Sequence, residues 1–230
     1  VPKSALLFGS IGTLVETSDI QRRAYNRALR EAGLTWEWDR ETYADLLTQS
    51  GGKERLAMLA SATGTPLSPE HIEAIHTRKT ELACEELVRT RVSLRPGVAD
   101  LLHWSRERGL KLGFVTTTYR PNIDAIFEAA ADTLTPGDFD VVVTRDDVQH
   151  GKPAPDAYVR ALGQLGIAPG EALAIEDTAA SVMSAKRAGL PVVATPGALT
   201  ADQDFWQADV VVEALATGGT VDRRVLALLN

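Results

Sequence analysis

Two kinds of hydrophobic pattern alternate along the chain. Short apolar runs occur at Ala5–Phe8, Leu110–Thr116, Phe139–Thr144, Leu173–Glu176, Pro191–Ala194 and Val210–Val212. Between them lie stretches with helical spacing at Gly97–Arg108, Pro121–Ala130, Pro155–Leu165, Thr178–Ala188 and Val221–Leu229. Strands of nearly unbroken apolar character, each followed by a crossover helix, predict a parallel sheet covered on both faces.

Residues 18–90 depart from that rhythm and predict helix after helix. Ser18 can cap a helix over Asp19–Ala32 that stops at Gly33. Asp39 can cap a second helix running to about Ser50, and Gly51–Gly52 separates it from a third over Lys53–Thr63. Ser68 and Pro69 supply an N-cap and a first-turn proline for a long helix to about Thr90. Proline and glycine at Arg95–Pro96–Gly97 mark the return to the core. The expected organisation is an α/β core of residues 1–15 and 96–230, with a helical cap at 16–95. The fold class is a Rossmann-like three-layer sandwich with a parallel sheet and an inserted α-helical domain.

Composition narrows the function classes. The 230 residues carry a net charge of −7, with no Lys/Arg-rich run and no interleaving of aromatic and basic residues, which disfavours nucleic acid as a partner. No apolar run approaches the ~18 residues of a membrane helix, and the N-terminal residues lead straight into a strand, so neither membrane span nor signal peptide is expected. Cys84 is the single cysteine, which rules out an intrachain disulfide and fits a cytoplasmic protein with a buried, inert thiol. The four histidines show no zinc spacing, and His150 is read as a loop residue. Trp36 and Trp38 are read as packing inside the helical insert.

In a parallel α/β sheet the ligand site lies beyond the C-terminal strand ends. Those ends are Gly9–Ser10–Ile11, Thr116–Thr117–Thr118 and Glu176–Asp177–Thr178, and Lys152 follows the third strand just before a helix. Hydroxyls and backbone N–H groups suit phosphate oxygens, lysine neutralises phosphate charge, and a carboxylate pair suits Mg²⁺. Each also has a plainer reading: the threonines as helix caps, Lys152 as a surface lysine, the acids as an N-cap with a solvated neighbour.

These residues in this order resemble the haloacid dehalogenase-like phosphohydrolases. Thr116, Lys152 and Glu176–Asp177 match the second, third and fourth family motifs. "KPAPDAY", "AIEDTAASVMSAKRAGLPVVATP", "GGKERL" and "VTTTYRPN" look like the branch of β-phosphoglucomutase and the CbbY-type sugar-bisphosphate phosphatases. The resemblance implies strand order 5-4-1-2-3 and a cap closing about hinges near Val15–Ser18 and Leu94–Gly97. It implies catalytic roles for Thr116 and Lys152, metal ligation by Glu176 and Asp177, and substrate contacts from Ser10, Thr117, Lys53 and Arg55.

The first motif departs from the family. Aligned on Gly12–Thr13–Leu14, Gly9 stands where the family has its nucleophilic Asp, and Ile11 where it has its general acid/base Asp. Gly9 cannot attack phosphorus and Ile11 cannot move a proton. Losing catalytic groups that act as a unit costs on the order of 10⁶ in rate. Mg²⁺ binding weakens as well, since the first Asp is also a family metal ligand. Ala180–Ser181 replace the Asn-Gly usual in the CbbY branch.

The leading expectation is therefore an impaired phosphohydrolase fold that binds a phosphorylated small metabolite, such as a sugar phosphate. One alternative is a hydrolase with a displaced base or nucleophile, drawn from Glu16, Asp19 or Ser10, although Ser10 is expected to point away from the site. Lys53 as a Schiff-base lysine is a weaker variant of the same idea. The other alternative is an interaction protein with a vestigial site.

Overall fold

The computed structural model describes residues 2–49 and 51–230. A six-stranded parallel sheet runs in the order β3 (Val141–Val143), β2 (Lys111–Val115), β1 (Ala5–Phe8), β4 (Ala172–Glu176), β5 (Val192–Ala194), β6 (Val210–Val211). The five-strand order implied by the resemblance is present, and β6 adds a parallel edge to β5. Helices cover both faces, so each strand buries both of its side-chain rows. Leu6 and Phe8 of β1 join Leu112, Phe114, Leu173 and Ile175 in one core, while Ala5 and Leu7 join Val115, Ala172, Ala174 and Tyr158 in the other.

Four helices follow β1 before the next strand: α1 (Ser18–Glu31), α2 (Arg40–Leu46), α3 (Gly52–Ala62) and α4 (Pro69–Thr90). They enclose a third cluster around Tyr25, Leu29, Trp38, Tyr43, Leu56 and Leu82. Trp38 is fully buried against Tyr25 and Tyr43, at ring-centroid distances of 4.7 and 5.9 Å, and Trp36 packs at the edge of the same cluster. The chain leaves and re-enters the core at a paired crossing. Val15 bridges Leu94, and Arg95 donates from its guanidinium to the carbonyls of Gly12, Thr195 (2.6 Å) and Pro196 (2.8 Å).

The remaining helices are α5 (Val98–Glu107), α6 (Arg120–Ala129), α7 (Asp156–Leu165), α8 (Ala179–Arg187) and α9 (Arg223–Leu229). Several boundaries correct the sequence expectations. Ser18 is the first helical residue of α1 rather than its cap; its N–H donates to the Glu16 carboxylate at 2.9 Å, which does the capping. Asp39 and Ser68 cap α2 and α4 as expected, accepting from Thr42 N and His71 N. Helix α2 ends at Leu46, because the backbone turns through Leu47–Gln49; Ser50, its expected end, lies outside the described residues. The last helix starts at Arg223, since Val221 is taken by a hairpin of β7 (Ala216–Thr217) and β8 (Thr220–Val221). That hairpin turns on Gly218–Gly219, both at positive φ. Cys84 is half-buried rather than buried, with its Sγ 3.4 Å from the Pro121 carbonyl.

Candidate functional site

β1, β2 and β4 lie side by side, so the loops after them meet at one sheet edge. The helical insert faces that edge across a cavity of about 290 Å³. Its wall includes Ser10, Ile11, Thr116, Thr117, Lys152, Glu176 and Asp177 from the core side, and Arg55 from the insert. Of the residues singled out from sequence, these eight converge. Gly9 lies directly behind the wall. Lys53 does not line the cavity: it pairs with Glu73 and sits 4.8 Å over the Tyr119 ring. Glu16 and Asp19 also lie outside the lining; Glu16 caps α1, and Asp19 pairs with Arg22 and Arg40. His150 is an exposed loop residue paired with Asp156.

The loop after β1 is packed closely by its neighbours. Ser10 does not point away: its hydroxyl shares a 2.8 Å hydrogen bond with that of Thr116, which also accepts from Thr118 N at 3.1 Å. Lys152 donates to the Val115 carbonyl (3.1 Å) and to Glu176 Oε1, and the Tyr158 hydroxyl donates to the same carboxylate oxygen. The other oxygen of Glu176 points at Gly9. A Cβ placed on Gly9 would overlap Glu176 Oε2 and come within 2.8 Å of Thr13 Oγ1. Glu176 therefore fills the volume that a side chain at position 9 needs. Ile11 turns into apolar contact with the main core.

Asp177 rests against Gly12, whose φ of +80° and missing side chain allow that approach, and accepts from Thr13 Oγ1 at 3.2 Å. Burial, then the negative charges of Glu176 and Glu16, push the Asp177 carboxyl up to about 8, against the opposing pull of Lys152 and Arg95. Among the described residues, no cluster of three or more His, Cys, Asp or Glu side chains is placed to hold a metal ion.

The insert brings the expected Arg55 to the cavity and adds Lys79 and His76, which the sequence reading did not single out. Arg55 is buried, donating to the carbonyls of Leu46 (2.9 Å) and Gln49 (3.2 Å). Lys79 and His76, one turn apart on α4, are both buried and both line the cavity. Burial, reinforced by Lys79, Lys53 and Arg55, drives His76 down to about 3, so it is neutral at physiological pH. Arg145 lines the core side. The helical spacing of His76 and Lys79 was visible; that their face turns toward the core loops is set by the packing of α4 against α6.

The profile of the haloacid dehalogenase-like hydrolases matches residues 4–189. Protein CbbY of Rhodobacter capsulatus is 40% identical over 216 residues, covering 94% of this chain and 95% of the relative. CbbY of Cereibacter sphaeroides is 39% identical, covering 94% of each. Two crystal structures of CbbY from Rhodobacter sphaeroides, one in complex with phosphate and one of a mutant in complex with xylulose-(1,5)bisphosphate, superpose with TM-scores of 0.85 and 0.86 at 38% identity, each covering 92% of this chain and 94% of the other. A β-phosphoglucomutase from Clostridium difficile, 17% identical with a TM-score of 0.81, shares the fold. Profile, relatives and strand order agree: the chain belongs to the haloacid dehalogenase-like hydrolases, with CbbY proteins among its homologues.

Proposed function

We propose that this protein binds a phosphorylated sugar in the cavity between core and insert, and that it does so without the aspartyl-phosphate chemistry of its family. The observation carrying this reading is the charge arrangement around the cavity. Arg55, Arg145 and Lys152, with Lys79 only partly charged at neutral pH because burial and Arg55 bring it down to about 7, stand against Glu54, Glu176 and Asp177, in a chain whose net charge is −7. Glu176 is already neutralised by Lys152, and Asp177, held near 8, is protonated at neutral pH. The balance left to a ligand is positive, which suits a phosphate dianion.

The donor set does not fit Mg²⁺. Mg²⁺ is usually held by one or two free carboxylates together with waters and phosphate oxygens. Glu176 spends one oxygen on Lys152 and Tyr158 and turns the other toward Gly9, while Asp177 is packed on Gly12. Gly9 and Ile11 supply no free carboxylate in their place. A cavity of about 290 Å³ suits a small molecule. The xylulose bisphosphate bound by the CbbY mutant makes a five-carbon ketose bisphosphate the first ligand to try.

Isothermal calorimetry with xylulose 1,5-bisphosphate tests the reading, alongside phosphate release in the same samples. The expected result is saturable binding of equal affinity in EDTA and in Mg²⁺, no phosphate release above a Lys152→Ala control, and loss of binding in that control. Absence of binding by the wild-type chain, or rapid Mg²⁺-dependent turnover, overturns it.

A further inference from the structure

Leu199 lies on the loop between β5 and β6, yet its side chain belongs to the apolar cluster of the helical insert. The other buried members of that cluster fall between Ala24 and Ala83; among the described residues, Leu199 is the single one from outside the insert. It is 9% exposed, so moving the insert away from the core uncovers this side chain and the apolar face it covers.

The loop that presents Leu199 is braced. Gly197 N–H donates to Thr200 Oγ1 at 2.8 Å, and Thr200 N–H donates back to the Gly197 carbonyl at 3.1 Å. The loop is also tied to both segments at which the chain crosses between core and insert. A Cβ on Gly197 would come within 2.6 Å of Glu16 Oε2, so the loop rests directly on the outgoing segment. Arg95 of the returning segment donates to the carbonyls of Thr195 and Pro196. Further along, Gln203 Oε1 accepts from Ala179 N at 2.9 Å, where α8 starts beside the cavity wall. A side chain on a loop held in this way cannot follow the insert when it tilts; it has to leave the cluster. The insert is gripped on its other side by Tyr119, from the segment after β2. The Tyr119 ring meets the His76 ring edge-on at 5.5 Å and lies under Lys53 Nζ at 4.8 Å. β2 and β5 stand on opposite sides of β1, so the two holds flank the loop after β1.

We propose that Leu199 is a positioning residue that clasps the insert to the core and keeps the cavity closed in the unliganded protein. Leu199 is not part of the cavity wall. It acts through the placement of the insert, which brings Arg55 to face the core loops. The clasp works without ligand, so it stands whether or not the cavity takes a sugar phosphate.

Hydrogen exchange read by mass spectrometry on the unliganded full chain tests the clasp. Opening uncovers the wall loops Gly9–Thr13 and Thr116–Tyr119 while core and insert each stay folded. Leu199→Ala is expected to speed exchange in those loops about tenfold, the factor that loss of most of a buried leucine side chain gives. Helix α7, which packs in the other core cluster, is expected to keep its rates. Leu199→Met refills the volume and is expected to restore the wild-type pattern. Leu82→Ala truncates the same cluster from within the insert; it is expected to speed exchange in α1 and α4 and to leave the wall loops unchanged. Leu199→Asp puts a charge in the cluster and is expected to give a larger radius of gyration by small-angle X-ray scattering. Wild-type exchange in the wall loops of Leu199→Ala, equal acceleration there in Leu82→Ala, or an unchanged radius of gyration in Leu199→Asp overturns the clasp. So does a Leu199→Ala chain that fails to fold, because a clasp between two formed units is dispensable to the folding of either.

Discussion

Gly9→Ala is the smallest change that tests whether Glu176 has taken over the nucleophile's place. Gly9 is not in the left-handed region, so alanine meets no backbone penalty there; its cost is contact alone. The added methyl overlaps Glu176 Oε2 and approaches Glu176 Cδ to 3.0 Å and Thr13 Oγ1 to 2.8 Å. A carboxylate at the end of a long side chain could normally swing aside. Here it is 1% exposed and held on its far oxygen by both Lys152 and Tyr158, so moving it breaks a buried ion pair. Breaking such a pair costs about 3–5 kcal/mol, and partial relaxation lowers the expected loss for Gly9→Ala to about 3 kcal/mol. Glu176→Ala alone strands Lys152 and is expected to cost about the same. In the double variant the overlap is gone and only the stranded lysine remains, so the total stays near 3 rather than about 6 kcal/mol, a coupling of about 3 kcal/mol. Urea denaturation of the four proteins measures it. A Gly9→Ala variant within about 0.5 kcal/mol of wild type, or additive losses, would refute the reasoning.

Three further outcomes are expected. Gly9→Asp combined with Ile11→Asp returns two carboxylates and evicts Glu176 from Gly9, so a folded double variant is expected to gain Mg²⁺-dependent phosphate release from xylulose 1,5-bisphosphate; a folded variant that binds but stays inactive would show a wider loss of site geometry. Lys79 is held at about 7 against an ordinary 10.5, so the folded chain binds fewer protons than the unfolded one between those values, and its contribution to stability rises with pH from about 7 toward 10. Lys79→Met is expected to flatten that rise and to stabilise the protein at pH 7 by on the order of a few kcal/mol, as read by thermal melts across pH. Arg95→Met strips donors from three carbonyls at the crossing between core and insert; it is expected to cost about 2–3 kcal/mol and to speed proteolysis there.

Much of this architecture was legible because its causes are local. Apolar runs bounded by Gly, Pro and capping residues locate every strand of the main sheet, and the strand-end rule gathers Ser10, Thr116, Lys152, Glu176 and Asp177 from the sequence alone. The β7–β8 hairpin was missed because its strands are two residues each, too short for alternation to show, although Gly218–Gly219 signals the turn. Ser18 was misjudged because the Glu16 carboxylate, rather than a hydroxyl, satisfies the first free N–H of α1. Lys79 and His76 were passed over because their meaning depends on which face of a 22-residue helix is turned inward, a long-range packing outcome. Lys53 and Arg55 were both expected at the ligand from "GGKERL"; the Lys53 head group is directed to Glu73, while Arg55, two residues on, faces the cavity.

The seating of Glu176 against Gly9 also bears on how readily a carboxylate can be placed in this loop. A single substitution returning a carboxylate to position 9 meets an occupied volume and an intact Lys152–Glu176–Tyr158 cluster, so it lowers stability before any chemistry reappears. Restoring position 11 alone puts a charge where Ile11 now packs on the core. Either single substitution is expected to lower stability without supplying the other carboxylate. The loop therefore resists piecemeal change: positions 9 and 11 and the Glu176 side chain have to change together before a carboxylate fits there without loss of stability.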